Sequence, residues 1–155
     1  MDDELEMRRG WTVSSGLWRM YSSAQSITDF IEISSLDRDD AKLLLSQLPK
    51  FALRQRHNKA PRVEELLTFS ATSCLDVRLH GYLVGPSRPD ERFCLDGFSV
   101  IFKGHISASG PSSNHAGTDA ESYWLWLSDT FRLPQGEGIP DEVEVRGNCA
   151  WIWWD

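Results

Sequence analysis

The residues whose types and spacing point most directly to a chemistry lie at the end of the chain, and that chemistry is recognition. Glu142-Val-Glu-Val-Arg146 is followed by Gly147-Asn148 and then by Cys149-Ala-Trp-Ile-Trp153. Two short alternating runs separated by two residues, the first of them glycine, read as a β-hairpin. That turn makes Arg146 face Cys149, Val145 face Ala150, Glu144 face Trp151, Val143 face Ile152 and Glu142 face Trp153. One side of the hairpin is then Val143, Val145, Ala150 and Ile152, a core face. The other side sets Glu142 and Glu144 against Trp151 and Trp153. Aromatic planes attract lysine and arginine through their quadrupole, and carboxylates add charge complementarity. Tryptophan is also enriched among interface hot spots. This face therefore reads as a binding surface for a cationic partner, unless helices cover it and the tryptophans are core. Trp124 and Trp126 sit in Glu121–Leu127, an aromatic run that reads as a strand. They extend the same partner-binding patch if that strand neighbours the hairpin, and form a second core otherwise.

Other constellations carry less. His80, Cys94 and Asp96 are types used in nucleophile–base–orienter catalysis. The favoured strand pairing, described below, sends His80 to the opposite face from Cys94 and Asp96, and a slip of one residue would turn apolar side chains outward. There is no glycine-flanked serine on a strand–turn–helix elbow. Cys74, Cys94, Cys149, His80, His105 and His115 are metal-ligand types, but without a Cys-x-x-Cys pair or a His-Glu-x-x-His helix no metal is expected. His105, His115 and Asp119 read as ordinary loop residues. No glycine-rich phosphate loop follows a strand, so no nucleotide or other cofactor is expected.

The elements that position these residues divide by half. Residues 1–10 read as a charged, frayed arm. Ile31-Glu32-Ile33 alternates as a short strand. A helix begins near Ser35–Asp37, where Ser and Asp can cap exposed amides and Asp39 and Asp40 suit the positive helix end, and its apolar face is Ala41, Leu44, Leu45 and Leu48. Pro49 ends it. Phe51–Arg56 forms a further short turn, and Pro61 opens a helix to about Ala71 with Val63, Leu66 and Leu67 inward. In Leu75–Val84 the apolar residues Leu75, Val77, Leu79 and Leu83 alternate cleanly. Phe93–Phe102 is again strand-like. Pairing Val84 with Phe93 places Leu79 on Phe98 and Val77 on Val100, apolar on apolar, and turns Asp96 inward beside Gly81. A two-residue turn at Asp96-Gly97 is the rival. A continuous strand with an irregularity at Gly97 is preferred. Gly104–Ala120, rich in Ser, Gly and Asn, reads as a surface loop.

The expected architecture is one α+β domain over residues 1–155, helical over 36–72 and mainly β over 74–155. Two or three helices pack on an antiparallel sheet of four to six strands. The 155 residues, 41% hydrophobic with 7 Trp and 7 Phe, suffice for a core. No apolar run approaches the roughly 20 residues of a membrane span. The acidic start lacks the order of a signal peptide, and three scattered cysteines do not make a disulfide framework. The expected setting is the reducing cytoplasm.

The net charge of −7 repels nucleic acid and attracts cations. One exception is Ala41–Val63, which holds Lys42, Lys50, Arg54, Arg56, Lys59 and Arg62 and no acid. This run reads as a solvated connection. The functional expectation is a non-catalytic module that binds or neutralises a more basic protein, as immunity proteins do, by analogy of size and charge. The alternatives are a small hydrolase using Asp96, His80 or loop histidines, and a structural subunit of a larger assembly. DNA and RNA should not be retained at moderate salt. Retention that weakens steeply with added salt and vanishes in Arg54→Ala/Arg56→Ala would overturn this expectation.

Overall fold

The structure, a computed structural model, describes residues 9–22, 29–104 and 120–155. Residues 1–8 of the expected arm and most of the expected loop, with His105, His115 and Asp119, lie outside the described residues. Arg9 donates to the carbonyls of Pro86 and Ser87, and the Glu91 carboxylate accepts from the backbone N–H of Gly10 and Thr12. The Glu91 bonds cap α1 (Trp11–Ser14), which is followed by α2 (Leu17–Tyr21) and strand β1 (Phe30–Leu36).

Three helices come next: α3 (Arg38–Gln47), α4 (Lys50–Arg54) and α5 (Val63–Thr72). The Asp37 carboxylate accepts from the N–H of Asp39 and Asp40, and Asp40 reaches back to the Asp37 N–H. Pro49 follows the end of α3, as its missing donor requires. The Glu65 carboxylate accepts from the Arg62 N–H at 2.6 Å and secures the start of α5.

β2 (Asp76–Val84) and β3 (Arg92–Ile101) form the long central hairpin. α6 (Ala120–Phe131) precedes β4 (Glu142–Arg146) and β5 (Cys149–Trp153). The five strands make one antiparallel sheet in the order β1-β2-β3-β5-β4, and the architecture is α+β. Among the described residues the helices number six, because α1, α2 and α4 are too short to show a period and α6 lies in the segment expected as a strand. That strand reading of Glu121–Leu127 is corrected. Trp124, Leu127 and Ser128 are the buried positions, a helical spacing, and tertiary packing overrides the β preference of the aromatics. Among the described residues no helix is long and apolar enough to cross a membrane.

The core lies between the helices and one face of the sheet. Leu44, Leu66 and Leu67 meet Leu79, Leu83 and Phe98 there, and Phe69 stands edge-on to Phe98 with ring centroids 5.4 Å apart. α6 closes one side through Trp124 on Trp154 and Phe131 on Phe102. The hairpin pairs residue for residue as expected, from Arg146↔Cys149 to Glu142↔Trp153, with Gly147 at φ 61° in the turn.

The β2–β3 register holds only over its lower half. Val77↔Val100, Leu79↔Phe98 and His80↔Gly97 are followed by Gly81↔Leu95 and Val84↔Arg92. Asp96 is skipped, so Phe93 is not opposite Val84. This β-bulge lets Phe93 and Leu95 face the core together with Phe98 and Val100, which a regular strand forbids. β1 breaks register at the same height, between Ile33↔Gly81 and Leu36↔Leu79. The His80–Gly81 step is thus flanked by irregular backbone on both sides. Glycine is needed at that step, because a Cβ on Gly81 would lie 1.9 Å from the Cys94 carbonyl oxygen. Gly81→Ala should therefore cost about 3 kcal/mol, the upper end of overpacking. Urea unfolding checks it, and a loss below about 1 kcal/mol would show that the bulge relaxes freely.

Candidate functional site: the open face of the sheet

The face away from the helices is built by alternation. In one row across the strands stand His80, Gly97, Trp153 and Glu142; in the next stand Arg78, Ser99, Trp151 and Glu144. Among the described residues no helix covers the hairpin here. Trp151 is 39% exposed, Trp153 half-buried, and Glu142 and Glu144 exposed. Arg146 pairs with Glu144.

Trp124 and Trp126 do not join this surface. Both stand on α6, on the core side of the sheet. Trp124 is 2% exposed with its ring edge-on to Trp154, and Trp126 packs partly buried near Phe131. Their expected part in a partner-binding patch rested on the strand reading and falls with it.

A cavity of ≈ 510 Å³ opens over the His80–Gly81 step. Its walls include Phe30, Glu32 and Tyr82 on one side and Trp151, Trp153 and Glu142 on the other, with His80 and Asp96 between them. Gly97 raises no side chain between His80 and Trp153, and so leaves room in the row.

The bulge overturns the expected separation of His80 from Asp96 and Cys94. Skipping Asp96 reverses the alternation of β3 above it, so Cys94, opposite Tyr82, and Asp96 both come to the face that carries His80. A slip of the whole strand would have exposed the core, and a slip of its upper half does not.

His80 is only 7% exposed because the Trp151 ring stacks on it, 4.1 Å between centroids and 25° between planes. A carbonyl oxygen only accepts, so His80 Nδ1 carries the proton and donates to Ser34 O at 2.6 Å. Nε2 then faces the Ser99 hydroxyl at 3.3 Å. Burial holds the His80 pKa below its ordinary value, against the opposing pull of the Ser34 bond and the Asp96 charge. The ring is neutral at pH 7 with both nitrogens engaged.

Asp96 is the opposite case. Burial pushes its carboxyl above the usual carboxylate range, while a hydrogen bond from Trp153 and the nearby His57 and His80 rings oppose that rise. Its backbone carbonyl accepts from the Trp154 N–H at 2.8 Å. Cys94 is also buried, which pushes its thiol up and away from thiolate chemistry.

At the upper end of the face Tyr82 is a hub. Phe30 stacks on it at 5.3 Å, His57 stands edge-on at 5.8 Å, and the Arg92 guanidinium lies 5.3 Å from its ring centroid. Sequence reasoning missed Tyr82, Phe30 and Glu32 here. The signal was available for Tyr82, which alternates with Leu83 on a strand with one buried face.

Cys74, Cys94 and Cys149 are all free thiols. Among the described residues no group of three or more His, Cys, Asp or Glu side chains is placed to hold a metal ion. The basic run is partly tied down, with Arg56 paired to Glu137 at 2.6 Å and the Lys59 carbonyl accepting from the Glu137 N–H. Comparison of the chain with protein-family models, with curated proteins and with solved structures found no match.

The two perturbed groups act on stability with definite signs. Native Asp96 holds its proton more tightly than the unfolded chain does. Its contribution to stability therefore falls as pH rises from the ordinary carboxylate range through the raised native value, and stays low above it. Native His80 holds its proton less tightly, so its contribution is full above about pH 6.5 and is lost as pH falls toward the native value. Asp96→Asn keeps an acceptor for Trp153 and removes the charge. Its melting temperature should equal or exceed that of the wild type at pH 7, with the gain shrinking in acid. A variant clearly less stable than wild type at pH 7 would show that the carboxylate is structural.

Proposed function

We propose that the protein is a non-catalytic binding module of the cytoplasm that holds, and by analogy of size and charge neutralises, a more basic protein on its open sheet face. The observation that supports this reading is the placement of Trp151 and Trp153 beside Glu142, Glu144, Asp96 and Glu32 on a face that no helix covers among the described residues. Exposed aromatic planes supply contact area at low entropic cost, and acids around them favour Lys and Arg. The net charge of −7 adds long-range attraction for a basic partner.

The hydrolase reading keeps one observation in its favour: His80 and Asp96 share the cavity. Against it, both His80 nitrogens are occupied by Ser34 and Ser99, and the Cys94 thiol is pushed up. A general base must present a free lone pair toward substrate. Ester hydrolysis lost in His80→Ala and kept in Trp153→Ala would favour the enzyme.

Affinity capture from lysate with wild type and with Trp153→Ala/Glu142→Lys tests the binding reading. Capture of basic proteins that the variant loses is expected, and a captured set unchanged by the substitutions would sink it. With a captured partner in hand, Trp153→Ala should cost about 2 kcal/mol, or about 30-fold in affinity, mainly through faster dissociation. Glu142→Lys should mainly slow association at low salt. The neighbouring Trp154 is 0% exposed and points to the core, so Trp154→Ala should instead lose about 3–5 kcal/mol of folding stability. Melts of the two variants separate the roles, and a collapse in Trp153→Ala would mark that ring as core.

A further inference from the structure

We propose that the cavity over the His80–Gly81 step is an arginine socket, in which Asp96 pairs with the guanidinium of one arginine side chain and the surrounding rings stack on its plane. The socket rests on the reading above and names the group that the partner inserts.

The carboxylate comes first. Asp96 accepts a hydrogen bond from the Trp153 indole, and an ionised carboxylate offers about four lone-pair sites. Among the described residues no lysine or arginine forms an ion pair with Asp96, whereas Asp90 nearby holds both Arg88 and Arg92. His80 lines the same cavity but is neutral and bound elsewhere. Glu32 on β1 and Glu142 on β4 carry further negative charge on the two walls.

The aromatic walls decide which cation fits. Two near-parallel ring pairs, Phe30 with Tyr82 at 22° and His80 with Trp151 at 25°, line the same cavity as Asp96. A ligand seated among them sheds water and meets flat faces. Guanidinium is planar, weakly hydrated and able to fork onto a carboxylate. An ammonium is compact and strongly hydrated, and gains less from flat walls. The chain already displays this mode once, with the Arg92 guanidinium over the Tyr82 ring while its Nη1 bonds Asp90 at 2.9 Å. A volume of ≈ 510 Å³ has room for one side chain and its backbone.

The test uses the full chain and indole N–H signals in NMR, titrated with N-acetyl-arginine amide, which carries the guanidinium and no carboxylate. A saturable shift of the Trp153 and Trp151 indoles is expected. N-acetyl-lysine amide should bind more weakly. Asp96→Asn, checked for folding by its melt, should weaken the arginine probe by about tenfold or more. Glu64→Gln, on α5, should leave it unchanged. Absence of saturation, equal shifts in Asp96→Asn, or a lysine probe that binds as well would overturn the socket. Failure of the arginine probe while a basic protein is still lost in Trp153→Ala removes the socket and leaves the binding face. Saturation by the probe with protein capture indifferent to Trp153→Ala upholds the socket and removes the protein-binding reading.

Discussion

The extra residue in β3 at Asp96 is the constraint on which the rest of this sheet depends. A strand alternates its side chains strictly, so Phe93 and Leu95 cannot share a face with Phe98, Val100 and Phe102 without one inserted residue. All five are buried. The bulge is therefore the condition for a continuous core across the central hairpin, and Gly81 provides the space that the displaced Cys94 carbonyl fills. Once the core demands the insertion, the inserted residue must go somewhere. Its backbone oxygen takes the Trp154 N–H, and its carboxylate goes to the open face.

Burying a carboxylate beside aromatic rings runs against its hydration, and the raised pKa of Asp96 measures that opposition. A core-building bulge does not need an acid at this position, since asparagine satisfies the same Trp153 contact. His80, by contrast, is satisfied: a neutral ring held by Ser34 and Ser99 and covered by Trp151. The same small region thus contains one polar group whose partners are all within the fold and one whose charge has no cationic partner among the described residues. The first is architecture, and the second is the group on which the proposed socket rests.

The end of the chain ties the two faces together. Trp153 and Trp154 are consecutive, yet one stands on the open face and the other is fully buried against Phe98 and Trp124. The Trp154 indole N–H donates to the Gly138 carbonyl at 3.1 Å, as a buried indole requires. Gly138 and Glu137 in turn donate their N–H groups to the Lys59 carbonyl. The terminal hairpin is thereby held to the α4–α5 connection, which brings His57 to Tyr82 at the upper end of the cavity.

By itself the sequence determined several features that depend on local period and local chemistry. The cap at Asp37, the stop at Pro49, the alternation of β2 and the whole pairing of the terminal hairpin follow from neighbours a few residues apart, and the structure has them all. The glutamates and tryptophans of one hairpin face were legible for the same reason. Tertiary structure decided the rest. Tyr123-Trp-Leu-Trp-Leu127 has a local preference for strand, and only packing of Trp124 and Leu127 on Trp154 and its neighbours makes it helix α6. The meeting of His80 with Asp96 depended on a bulge whose trace in the sequence is a change of parity, from apolar 93 and 95 to apolar 98, 100 and 102. That trace has meaning only when β2 and β5 flank the strand and one face is buried, because it is burial on a shared core that turns a broken alternation into a displaced carboxylate.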